Sequence, residues 1–393
     1  MSMQRIVIVG AGQGGLQAAV SLRQEGHNGP ITLIGSETHL PYQRPPLSKA
    51  YLKTGEAESL RLRPQSYFDD QDITLMLGTS VTRIDTAARQ VVHAAGSVPY
   101  DHLILATGTR NLRPGFPGVE RALDLRTLDD ALALRQAMAN AKSVAIIGGG
   151  FIGLEFAAVA RGFGLTVIVA EAGPRLMGRV VSPAMSDRFL AMHREMGTRV
   201  MLGAPVTEVT DDGILAGGEA VPADLVVLAA GVRPNSELAQ QAGLETDNGV
   251  RTDAQLLTSD PAISALGDCA AFPDPATGRL VRLESVQAAT DHARLIARRL
   301  TKGMTGPYAA VPWFWSDQGS SKLQIAGFAA TDDLSVTRAD GAVLRFAGDH
   351  LSAIETVNDP RTHMQARKLF AKGARPTRDI LRAHDYEIAS ILR

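Results

Sequence analysis

One pattern occurs twice in this chain of 393 residues and limits the folds that are open to it. Each copy contains a short apolar strand, a glycine-rich turn, an alanine-rich helix, a second apolar strand and a terminal acidic residue. The first copy covers residues 5–37 and ends at Glu37, and the second covers residues 143–171 and ends at Glu171. This order is typical of the βαβ unit that binds a dinucleotide, so the sequence predicts two such units.

The glycines of each turn lie at the positions that a dinucleotide requires. The first allows the tight turn from strand to helix, the next lets the backbone approach a pyrophosphate, and the last lets the helix pack closely on the strand. The phosphates then lie at the positive N-terminus of the helix. These glycines are Gly10, Gly12 and Gly15 in the first copy and Gly148, Gly150 and Gly153 in the second.

A single turn of this kind can be purely structural, because glycine-rich turns are common. Two copies in the full order of strand, turn, helix, strand and acid favour binding over a structural role. The carboxylates of Glu37 and Glu171 are then placed to bind ribose hydroxyls. Two dinucleotides on one chain are typical of a flavoprotein that exchanges hydride with a nicotinamide.

Three further segments fit two bound dinucleotides. Residues 103–109 and 226–234 each form an apolar run that ends in small residues and a glycine, which would return the chain over its own dinucleotide. The residues predicted to lie there are Ala106, Thr107, Gly108 and Gly231. A third run, at 263–266, leads to Asp268, whose carboxylate can accept a hydrogen bond from a polyol such as the ribityl chain of a flavin. An ordinary role for Asp268 as a turn residue stays open.

The cysteine content restricts the redox chemistry of the chain. It has one cysteine, Cys269, which cannot form an intrachain disulfide, a dithiol pair or a cysteine-cluster metal site. The nine histidines show no spacing typical of metal ligands, so we assign none of them to a metal or to catalysis.

Charge and hydropathy predict the surroundings in which the chain works. The 40 basic and 41 acidic side chains give no electrostatic reason to expect a nucleic acid as partner. The apolar run at residues 6–9 is too short for a signal peptide, and no stretch reaches 18 uninterrupted apolar residues. We therefore expect a cytoplasmic protein that does not enter a membrane.

Specific motifs extend along essentially the whole chain. RPPLSK occupies residues 44–49 and PWFWSDQ occupies residues 312–318, together with ATG at 106–108, LRT at 125–127, GDCA at 267–270 and ESV at 284–286. With these motifs the sequence resembles the FAD-dependent ferredoxin reductases of oxygenase systems. That family includes putidaredoxin-reductase-like and biphenyl-dioxygenase-reductase-like proteins of the glutathione-reductase structural class. RPPLSK together with PWFWSDQ carries the resemblance, whereas the glycine motifs alone would not be specific.

The resemblance implies which residues contact FAD. Lys49 is expected near the flavin N5, where a cation stabilises the anionic charge of reduced flavin. Asp268 is expected at the ribityl chain and Trp315 beside the isoalloxazine, although Trp313 and Trp315 could equally be core residues. The other implied FAD contacts are Gly14, Glu37, Arg44, Val81, Arg126 and Val286.

The second copy of the pattern is expected to bind the nicotinamide nucleotide. The resemblance implies contacts from Ile152, Glu155, Glu171 and Arg179. A carboxylate at the 2′-hydroxyl repels a 2′-phosphate, so Glu171 favours NADH over NADPH. Arg175 and Arg179 lie near it in sequence and would weaken that preference.

The fold class predicted is α/β, with two Rossmann-like dinucleotide-binding domains and a C-terminal α+β interface domain. Residues 1–113 and 238–312 would form the FAD-binding domain, because Asp268 must reach the same flavin as Gly12. Residues 114–237 would form the NADH-binding domain, and residues 313–393 the C-terminal domain. In that domain we predict strands at 322–326, 334–337 and 343–346 and a helical tail from about Pro360.

The single thiol limits how electrons can leave a flavin bound to this chain. NADH delivers hydride to the flavin, the cofactors supply the chemistry, and no acid–base residue is required. Disulfide reductases then reduce a cysteine pair, and peroxide- or water-forming NADH oxidases carry a cysteine in the N-terminal flavin loop. Cys269 has no partner thiol, and residues 41–49 contain no cysteine. Electrons are therefore expected to leave singly, to an external acceptor or to oxygen.

The resemblance implies that the acceptor is a [2Fe–2S] ferredoxin that supplies an oxygenase, such as a heme-thiolate monooxygenase. An NADH oxidase, or a reductase of a small molecule such as a quinone or an ascorbyl radical, is the alternative. A signalling flavoprotein similar to apoptosis-inducing factor is a third hypothesis, which long targeting extensions would favour.

Ferredoxins are typically acidic, so a basic docking surface is expected. Arg294, Arg298 and Lys302 repeat every four residues and so share one helix face, with Arg299 alongside. The resemblance implies that Arg63 and Arg294 face the partner. A solvated helix face without a partner is the alternative for this run.

Overall fold

The computed structural model describes residues 4–275 and 278–392, which form two compact units. The first unit takes its chain from residues 4–44, 57–110 and 232–310, and the second from residues 45–56, 111–231 and 311–392. Each unit is therefore built from separate stretches of the sequence. The predicted division into an FAD-binding, an NADH-binding and a C-terminal domain stays a prediction.

A five-stranded parallel sheet forms the core of the first unit, in the order β19–β7–β1–β2–β3. These strands are β1 (Ile6–Val9), β2 (Ile31–Ile34), β3 (Ile73–Met76), β7 (His102–Leu105) and β19 (Ile263–Ala265). Strand β1 is buried on both faces, as its uninterrupted apolar run predicts. Ile6 and Ile8 join one hydrophobic cluster, and Val7 and Val9 join another.

Helices and short strands complete the first unit. The helices are α1 (Gln13–Gln24), α3 (Gln65–Asp70), α7 (Glu237–Gln241) and α8 (Val286–Lys302), with 3₁₀ turns at Ala57–Leu60 and Gly267–Cys269. The short strands are β4 (Val81–Asp85), β5 (Gln90–His93), β6 (Gly96–Pro99), β16 (Val232–Pro234), β17 (Thr246–Asp247), β18 (Gly249–Arg251), β20 (Ala270–Pro273) and β21 (Leu280–Val281). Strand β8 (Thr109–Asn111) lies where the chain leaves the first unit.

The second unit contains a four-stranded parallel sheet in the order β11–β10–β9–β15. Its strands are β9 (Ser143–Ile147), β10 (Thr166–Glu171), β11 (Arg199–Leu202) and β15 (Leu225–Leu228). As β1 lies between β2 and β7, so β9 lies between β10 and β15. The duplicated sequence pattern therefore folds as the same βαβ arrangement twice.

Helices and an antiparallel sheet surround this second parallel sheet. The helices are α2 (Ala50–Thr54), α4 (Leu128–Met138), α5 (Phe151–Gly162) and α6 (Pro183–Glu195), with 3₁₀ turns at Pro45–Ser48 and Val119–Arg121. The antiparallel sheet contains β12 (Val206–Thr210), β13 (Gly213–Ala216) and β14 (Glu219–Pro222).

The C-terminal part of the second unit is a five-stranded antiparallel sheet with helices after it. The strands are β22 (Trp313–Gln318), β23 (Ser321–Gly327), β24 (Leu334–Thr337), β25 (Val343–Ala347) and β26 (His350–Val357), in the order β22–β23–β26–β25–β24. The helices are α9 (Pro360–Ala371), α10 (Arg378–Arg382) and α11 (Ile388–Ile391). The strands predicted here and the helix predicted from Pro360 are confirmed.

The predicted fold class is confirmed by the two parallel sheets and the C-terminal antiparallel sheet. Among the helices of the described residues, none is both long enough and apolar enough to cross a membrane.

Candidate functional site

The first glycine turn follows β1 and can be built only with glycine. Gly10 has a φ of +113°, and a Cβ at this position would lie 2.1 Å from the carbonyl oxygen of Ala106. A Cβ on Gly15 would lie 1.8 Å from the carbonyl oxygen of Gly10. Helix α1 therefore packs directly on the end of β1, as the spacing of the glycines predicts.

The second turn repeats these contacts at Gly148 and Gly153. Gly148 has a φ of +110°, and its Cβ would lie 2.4 Å from the carbonyl oxygen of Ala229. A Cβ on Gly153 would lie 2.4 Å from the carbonyl oxygen of Gly148. The two turns thus have the same geometry in the two units.

Both helices that follow these turns have open N-termini. Gly12 and Gly150 are the N-cap residues of α1 and α5, and neither carries a side-chain capping hydrogen bond. Among the described residues, no heavy atom outside the immediate chain neighbours lies within 4 Å of a Cβ built on either glycine. Unsatisfied N–H groups at an open helix start attract an anion. The residues at both turns therefore fit the pyrophosphate of a dinucleotide.

Two other predicted residues lie on these helices. Gly14 allows close packing in α1, because a Cβ there would lie 2.5 Å from the Leu266 side chain. Ile152 lies in the first turn of α5 and is half-buried.

The acid that ends the first copy is held by two side chains of the same unit. The carboxylate of Glu37 accepts a hydrogen bond of 2.5 Å from the Tyr42 hydroxyl and forms a salt bridge with Arg44. Burial lowers the pKa of Arg44, but the neighbouring Tyr42, Glu37 and Asp268 outweigh it and hold that pKa above its ordinary value. Arg44 therefore remains a cation beside two of the predicted FAD residues.

The turn that carries Asp268 is fixed by a histidine that the sequence analysis did not assign. The N–H of Gly267 donates to Nδ1 of His292 at 3.2 Å, and Arg282 donates to the carbonyl oxygen of Asp268 at 3.1 Å. Burial lowers the pKa of His292 to about 3, so the ring is neutral and its Nδ1 can accept. The Thr109 hydroxyl lies 3.4 Å from the Asp268 carboxylate.

The ATG segment is tied to the chain that returns after β16. The Thr107 hydroxyl donates to the carbonyl oxygen of Asn235 at 2.7 Å, and the Asn235 side-chain amide donates to the carbonyl oxygen of Thr107 at 2.8 Å. The N–H of Asn235 donates to the carbonyl oxygen of Gly108 at 2.9 Å. Of the other FAD residues predicted in this unit, Val81 begins β4 and Val286 begins α8.

The single cysteine lies beside Asp268 and is enclosed by protein. The Cys269 thiol donates to the carbonyl oxygen of Leu266 at 3.3 Å, and its relative exposure is 0%. Burial raises the pKa of this thiol above its ordinary value. A buried, protonated thiol is a poor nucleophile and a poor redox group.

Glu171, the acid that ends the second copy, is hydrogen-bonded to the second glycine turn. Its carboxylate accepts from the N–H of Gly149 and from the N–H of Gly173, both at 2.6 Å. Arg179 lies against Gly231, since a Cβ built there would be 3.0 Å from Nη2 of Arg179. The predicted nucleotide residues Glu171, Arg179 and Gly231 thus share a unit with Gly148, Gly150 and Gly153.

Arg175 has a structural role in the segment after Glu171. Its guanidinium donates to the carbonyl oxygens of Gly178 at 2.5 Å and Val181 at 2.6 Å. It also donates to the Ser186 hydroxyl at 3.1 Å. These bonds occupy the guanidinium within the fold, so Arg175 is a poor candidate for binding a 2′-phosphate.

Two carboxylates lie close to Lys49, one buried and one partly exposed. Its Nζ lies 3.0 Å from Oε1 of Glu155 and 3.3 Å from Oδ2 of Asp317. The hydroxyls of Ser48 and Ser316 donate to the two oxygens of Glu155 at 2.5 and 2.6 Å. Burial raises the pKa of Glu155, although Lys49 and the two serines act in the opposite direction. The serines were missed by sequence analysis, because nothing local marks a serine as the partner of a distant carboxylate.

Two stacked tryptophans lie next to Lys49. The Nζ of Lys49 is 5.9 Å from the centroid of the Trp315 ring, and the Trp313 ring stacks on Trp315 at 5.6 Å. Arg367 lies over the other ring, 4.4 Å from the centroid of Trp313. Both tryptophans are half-buried, so neither is a fully enclosed core residue. The stack is held between two cations, an arrangement that aromatic faces favour.

Arg126, another predicted FAD residue, immediately precedes α4. Its N–H donates to Oδ2 of Asp130 at 3.1 Å, and Thr127 and Asp130 form a capping box at the helix start. The backbone at Arg126 is therefore fixed, and the residue lies in the second unit with Lys49 and Trp315.

The basic residues predicted to dock a partner lie on the outer face of α8. Arg294 pairs with Asp291 at 3.0 Å, whereas Arg298 and Lys302 both pair with Glu25, the C-cap residue of α1. These three basic side chains are about half exposed, at 52, 50 and 54%. Arg299 instead points inward.

The inward direction of Arg299 follows from its contacts. Its guanidinium donates to the Ser264 hydroxyl at 2.5 Å, and burial lowers its pKa. Arg63, which precedes α3, is exposed and lies over the Tyr67 ring at 5.2 Å from its centroid.

Two family models match the chain. The pyridine nucleotide-disulphide oxidoreductase model matches residues 4–293, and a reductase C-terminal model matches residues 313–392. The chain belongs to the pyridine nucleotide-disulphide oxidoreductase family. Membership confirms three predictions: the fold, oxidoreductase chemistry, and FAD and NAD(H) as the cofactors.

Named members of this oxidoreductase family are similar over nearly their whole length. Rhodocoxin reductase of Rhodococcus erythropolis is 50% identical over 384 residues, which cover 93% of this chain and 89% of that protein. Putidaredoxin reductase of Pseudomonas putida is 38% identical over 385 residues, which cover 93% of this chain and 91% of that protein.

Two solved structures of reductases are similar to this member of the family. The ferredoxin reductase for the CYP199A2 system from Rhodopseudomonas palustris has a TM-score of 0.95 at 44% identity, covering 99% of this chain and 100% of that one. The covalent putidaredoxin reductase–putidaredoxin complex contains a chain with a TM-score of 0.93 at 36% identity, with 99% of both chains covered. The resemblance that the motifs indicated is thereby confirmed.

Proposed function

We propose that this chain is an NADH-dependent ferredoxin reductase. It takes hydride from NADH onto FAD and passes single electrons to a [2Fe–2S] ferredoxin that supplies an oxygenase, a heme-thiolate monooxygenase being one such acceptor. The observation that carries this proposal is the burial of Cys269, the one thiol of a chain with two dinucleotide turns. With that thiol enclosed, the electrons have no exit through a cysteine. The similarity to reductases named for rhodocoxin and putidaredoxin supports a protein acceptor.

We assign FAD to the first glycine turn and NADH to the second. FAD held there would supply the chemistry of accepting one hydride and releasing its two electrons one at a time, and the protein must orient it for both steps. Residues 1–113 and 238–312 are proposed as the FAD-binding domain, 114–237 as the NADH-binding domain and 313–393 as the C-terminal interface domain. The residues proposed for FAD are Gly10, Gly12, Gly14, Gly15, Glu37, Arg44, Lys49, Val81, Ala106, Thr107, Gly108, Arg126, Asp268, Val286 and Trp315. Those proposed for NADH are Gly148, Gly150, Ile152, Gly153, Glu155, Glu171, Arg179 and Gly231.

Three charged residues of this set have distinct tasks. Lys49 supplies the positive charge that stabilises reduced flavin, and Glu155 keeps that charge in place through its contact of 3.0 Å. Glu171 recognises the ribose hydroxyls of NADH and disfavours a 2′-phosphate. Because Arg175 is occupied by carbonyl oxygens, it does not offset this selection.

Arg63 and Arg294, with Arg298, are proposed to attract the acidic ferredoxin. Both Arg298 and Lys302 share Glu25, so this end of α8 keeps a net positive charge after pairing. Surface charges of this kind accelerate encounter more than they strengthen binding. We also propose that the protein works in the cytoplasm. A chain with one cysteine cannot form the intrachain disulfides that are typical of proteins in oxidising compartments.

Coupled reduction of cytochrome c tests the function. The FAD-containing protein is supplied with NADH, and cytochrome c reduction is followed with and without a [2Fe–2S] ferredoxin from the same genome. We expect the ferredoxin to increase the rate many-fold. Fast oxygen consumption with no stimulation by ferredoxin would instead support the alternative, an NADH oxidase. Fast reduction of a quinone or an ascorbyl radical without stimulation by ferredoxin would support a small-molecule reductase.

A further inference from the structure

An ion pair is buried inside the C-terminal sheet. Arg345 on β25 and Glu355 on β26 are 0 and 1% exposed, and Nη1 of the arginine lies 2.9 Å from Oε1 of the glutamate. The desolvation penalty of burying two charges offsets much of their Coulombic attraction, so such a pair adds little to the free energy of unfolding by itself. Its presence therefore calls for a role beyond holding two neighbouring strands together.

The carboxylate of Glu355 reaches out of the sheet. It accepts from the N–H of Ser182 at 2.8 Å and from the Ser182 hydroxyl at 2.6 Å, and Ser182 itself is fully buried. Arg345 completes the cluster through a hydrogen bond of 2.7 Å to the carbonyl oxygen of Ala330. The ion pair thus orients a carboxylate toward a segment more than 170 residues away in sequence.

That segment is the 173–182 loop, which joins β10 to α6. At its start the N–H of Gly173 donates to Glu171, and in its middle Arg175 donates to the carbonyl oxygens of Gly178 and Val181. At its end Ser182 is held by Glu355. Both ends of the loop are therefore fixed by carboxylates, one on the parallel sheet and one on the C-terminal sheet.

The 173–182 loop also touches the second glycine turn. The N–H of Met177 donates to the carbonyl oxygen of Gly149 at 2.9 Å. Met177 has a φ of +50°, a conformation that a residue with a side chain keeps only where its surroundings hold it. Arg179 lies in the same loop, with its guanidinium close to Gly231. The position of this loop therefore sets the position of Arg179 and supports the turn.

We infer that Arg345 and Glu355 are positioning residues for the nicotinamide nucleotide. Through Ser182 they hold the 173–182 loop in the conformation that places Arg179 and supports Gly149. This inference rests on the proposed function, in which Glu171 and Arg179 contact NADH. Neither member of the ion pair is assigned a contact with the cofactor, so their effect passes through the loop.

The leading test variant is Ser182→Ala, which keeps both charges and removes the hydroxyl link to Glu355. Its matched control is Thr377→Ala, because Ser182 and Thr377 both cap a helix in the second unit, and only Ser182 binds Glu355. The second variant replaces both charges, Arg345→Met with Glu355→Leu, since apolar substitution of a whole buried pair is better tolerated than loss of one partner. Its control is Arg338→Met, which breaks salt bridges to Glu387 and Asp340.

Two measurements are made on the FAD-containing protein. Calorimetry gives the Kd for NAD⁺, and amide hydrogen exchange gives the protection of the 173–182 loop without turnover. We expect Ser182→Ala to raise the Kd and to speed exchange in the loop by about tenfold each, as loss of a hydrogen bond to a charged group predicts. The double variant is expected to do the same, and both controls are expected to match the wild type.

A normal Kd and normal loop protection in Ser182→Ala would overturn the inference. Arg179→Ala separates this failure from a failure of the proposed function. If Arg179→Ala leaves the Kd for NAD⁺ unchanged, the assignment of the nucleotide site is wrong. If Arg179→Ala weakens binding while Ser182→Ala does not, only the positioning role of the ion pair is wrong.

Discussion

The ammonium of Lys49 lies 3.0 Å from the carboxylate of Glu155, and both groups are largely shielded from solvent, with side-chain exposures of 17 and 7%. This contact joins the end of the RPPLSK motif to α5, the helix that follows the second glycine turn. Two hydroxyls, from Ser48 and Ser316, complete the shell of Glu155. A residue proposed to contact FAD and a residue proposed to contact NADH therefore form one salt bridge, so the charge of each affects the other.

The Lys49–Glu155 pair is expected to set the reduction potential of the flavin. Glu155→Gln removes the negative charge that offsets Lys49, so we expect the potential to rise by about 30 mV, equal to a tenfold change for a two-electron couple. Lys49→Met removes the cation that we propose stabilises reduced flavin, and we expect the potential to fall by about the same amount. A redox titration against indicator dyes measures both shifts.

Asp317→Asn serves as the control for that experiment, because Asp317 contacts Lys49 at 3.3 Å but is 40% exposed. Its effect is expected to be smaller, since solvent screens an exposed charge. Shifts of the same sign in Glu155→Gln and Lys49→Met would contradict the account of this pair.

His292 is expected to hold FAD indirectly, through the turn that carries Asp268. His292→Leu removes the acceptor for the Gly267 N–H, whereas His292→Asn places a carbonyl oxygen near the position of Nδ1. We expect the leucine variant to bind FAD about tenfold more weakly, as loss of a hydrogen bond at a buried site predicts, and the asparagine variant to recover most of the affinity. Quenching of flavin fluorescence gives the two Kd values. Equal weakening in both variants would point to packing rather than to the hydrogen bond.

Stability is expected to fall with acid because burial lowers the pKa values of His102, His193, His292 and His363, most strongly those of His102 and His292. Burial lowers the pKa values of His102 and His292 to about 3, below the ordinary value near 6.5. Their contribution to the free energy of unfolding is full above pH 6.5 and is lost as the pH falls toward 3, at about 1.4 kcal/mol per pH unit for each group.

In His292→Asn one of these groups is gone. Denaturant unfolding between pH 6.5 and 4 should therefore show a slope that is less steep by about 1.4 kcal/mol per pH unit. An unchanged slope would mean that His292 titrates equally in the folded and unfolded chains.

Selection of NADH is expected to depend on Glu171 and not on Arg175. Glu171→Ala removes the proposed ribose acid and its hydrogen bonds to Gly149 of the glycine turn and to Gly173 of the 173–182 loop. We therefore expect kcat/KM for NADH to fall by about tenfold or more, with little gain for NADPH. Arg175→Met should lower the Tm and leave the ratio of NADH to NADPH activity unchanged. Steady-state kinetics with ferricyanide as acceptor measures both ratios. A changed ratio of NADH to NADPH activity in Arg175→Met would refute the internal role given to Arg175.

Charge reversal on the outer face of α8 is expected to affect the partner and not NADH. For Arg294→Glu we expect KM for ferredoxin to rise by about tenfold at low salt, and the difference should shrink at high salt. Reduction of ferricyanide should be unchanged. Arg199→Glu is the matched control, because Arg199 is also about half exposed but lies on β11 of the second unit. Equal effects of the two reversals would show a response to net charge alone.

The sequence predicted the parts of the fold that depend on local pattern. Apolar runs such as residues 6–9 and 143–147 become buried parallel strands, and the glycines after them make the turns that their spacing indicates. Three of the five strands of the C-terminal sheet, β23, β24 and β25, follow from the same kind of pattern, whereas β22 and β26 were not predicted. The apolar pattern that marks such a strand is local, although its pairing joins distant residues, as in the pairing of β1 with β7.

The sequence could not reveal contacts that the tertiary fold creates. Ser48 and Ser316 lie 107 and 161 residues from Glu155, and Ser182 lies 173 residues from Glu355. By helical periodicity Arg299 lies next to the exposed face of α8, yet its guanidinium points inward and donates to the Ser264 hydroxyl. Such partners depend on which segments the fold brings together, and no local signal marks them.

Anaerobic rapid mixing of the NADH-reduced protein with an oxidised [2Fe–2S] ferredoxin tests the central claim most directly. The flavin and ferredoxin absorbances are followed together. We expect the reduced flavin to be reoxidised as ferredoxin is reduced, with two ferredoxins reduced per flavin and a rate that saturates with ferredoxin concentration. Ferredoxin that stays oxidised beside reduced flavin would contradict the claim, if oxygen admitted in a second mixing step then reoxidises the flavin fast enough to account for turnover.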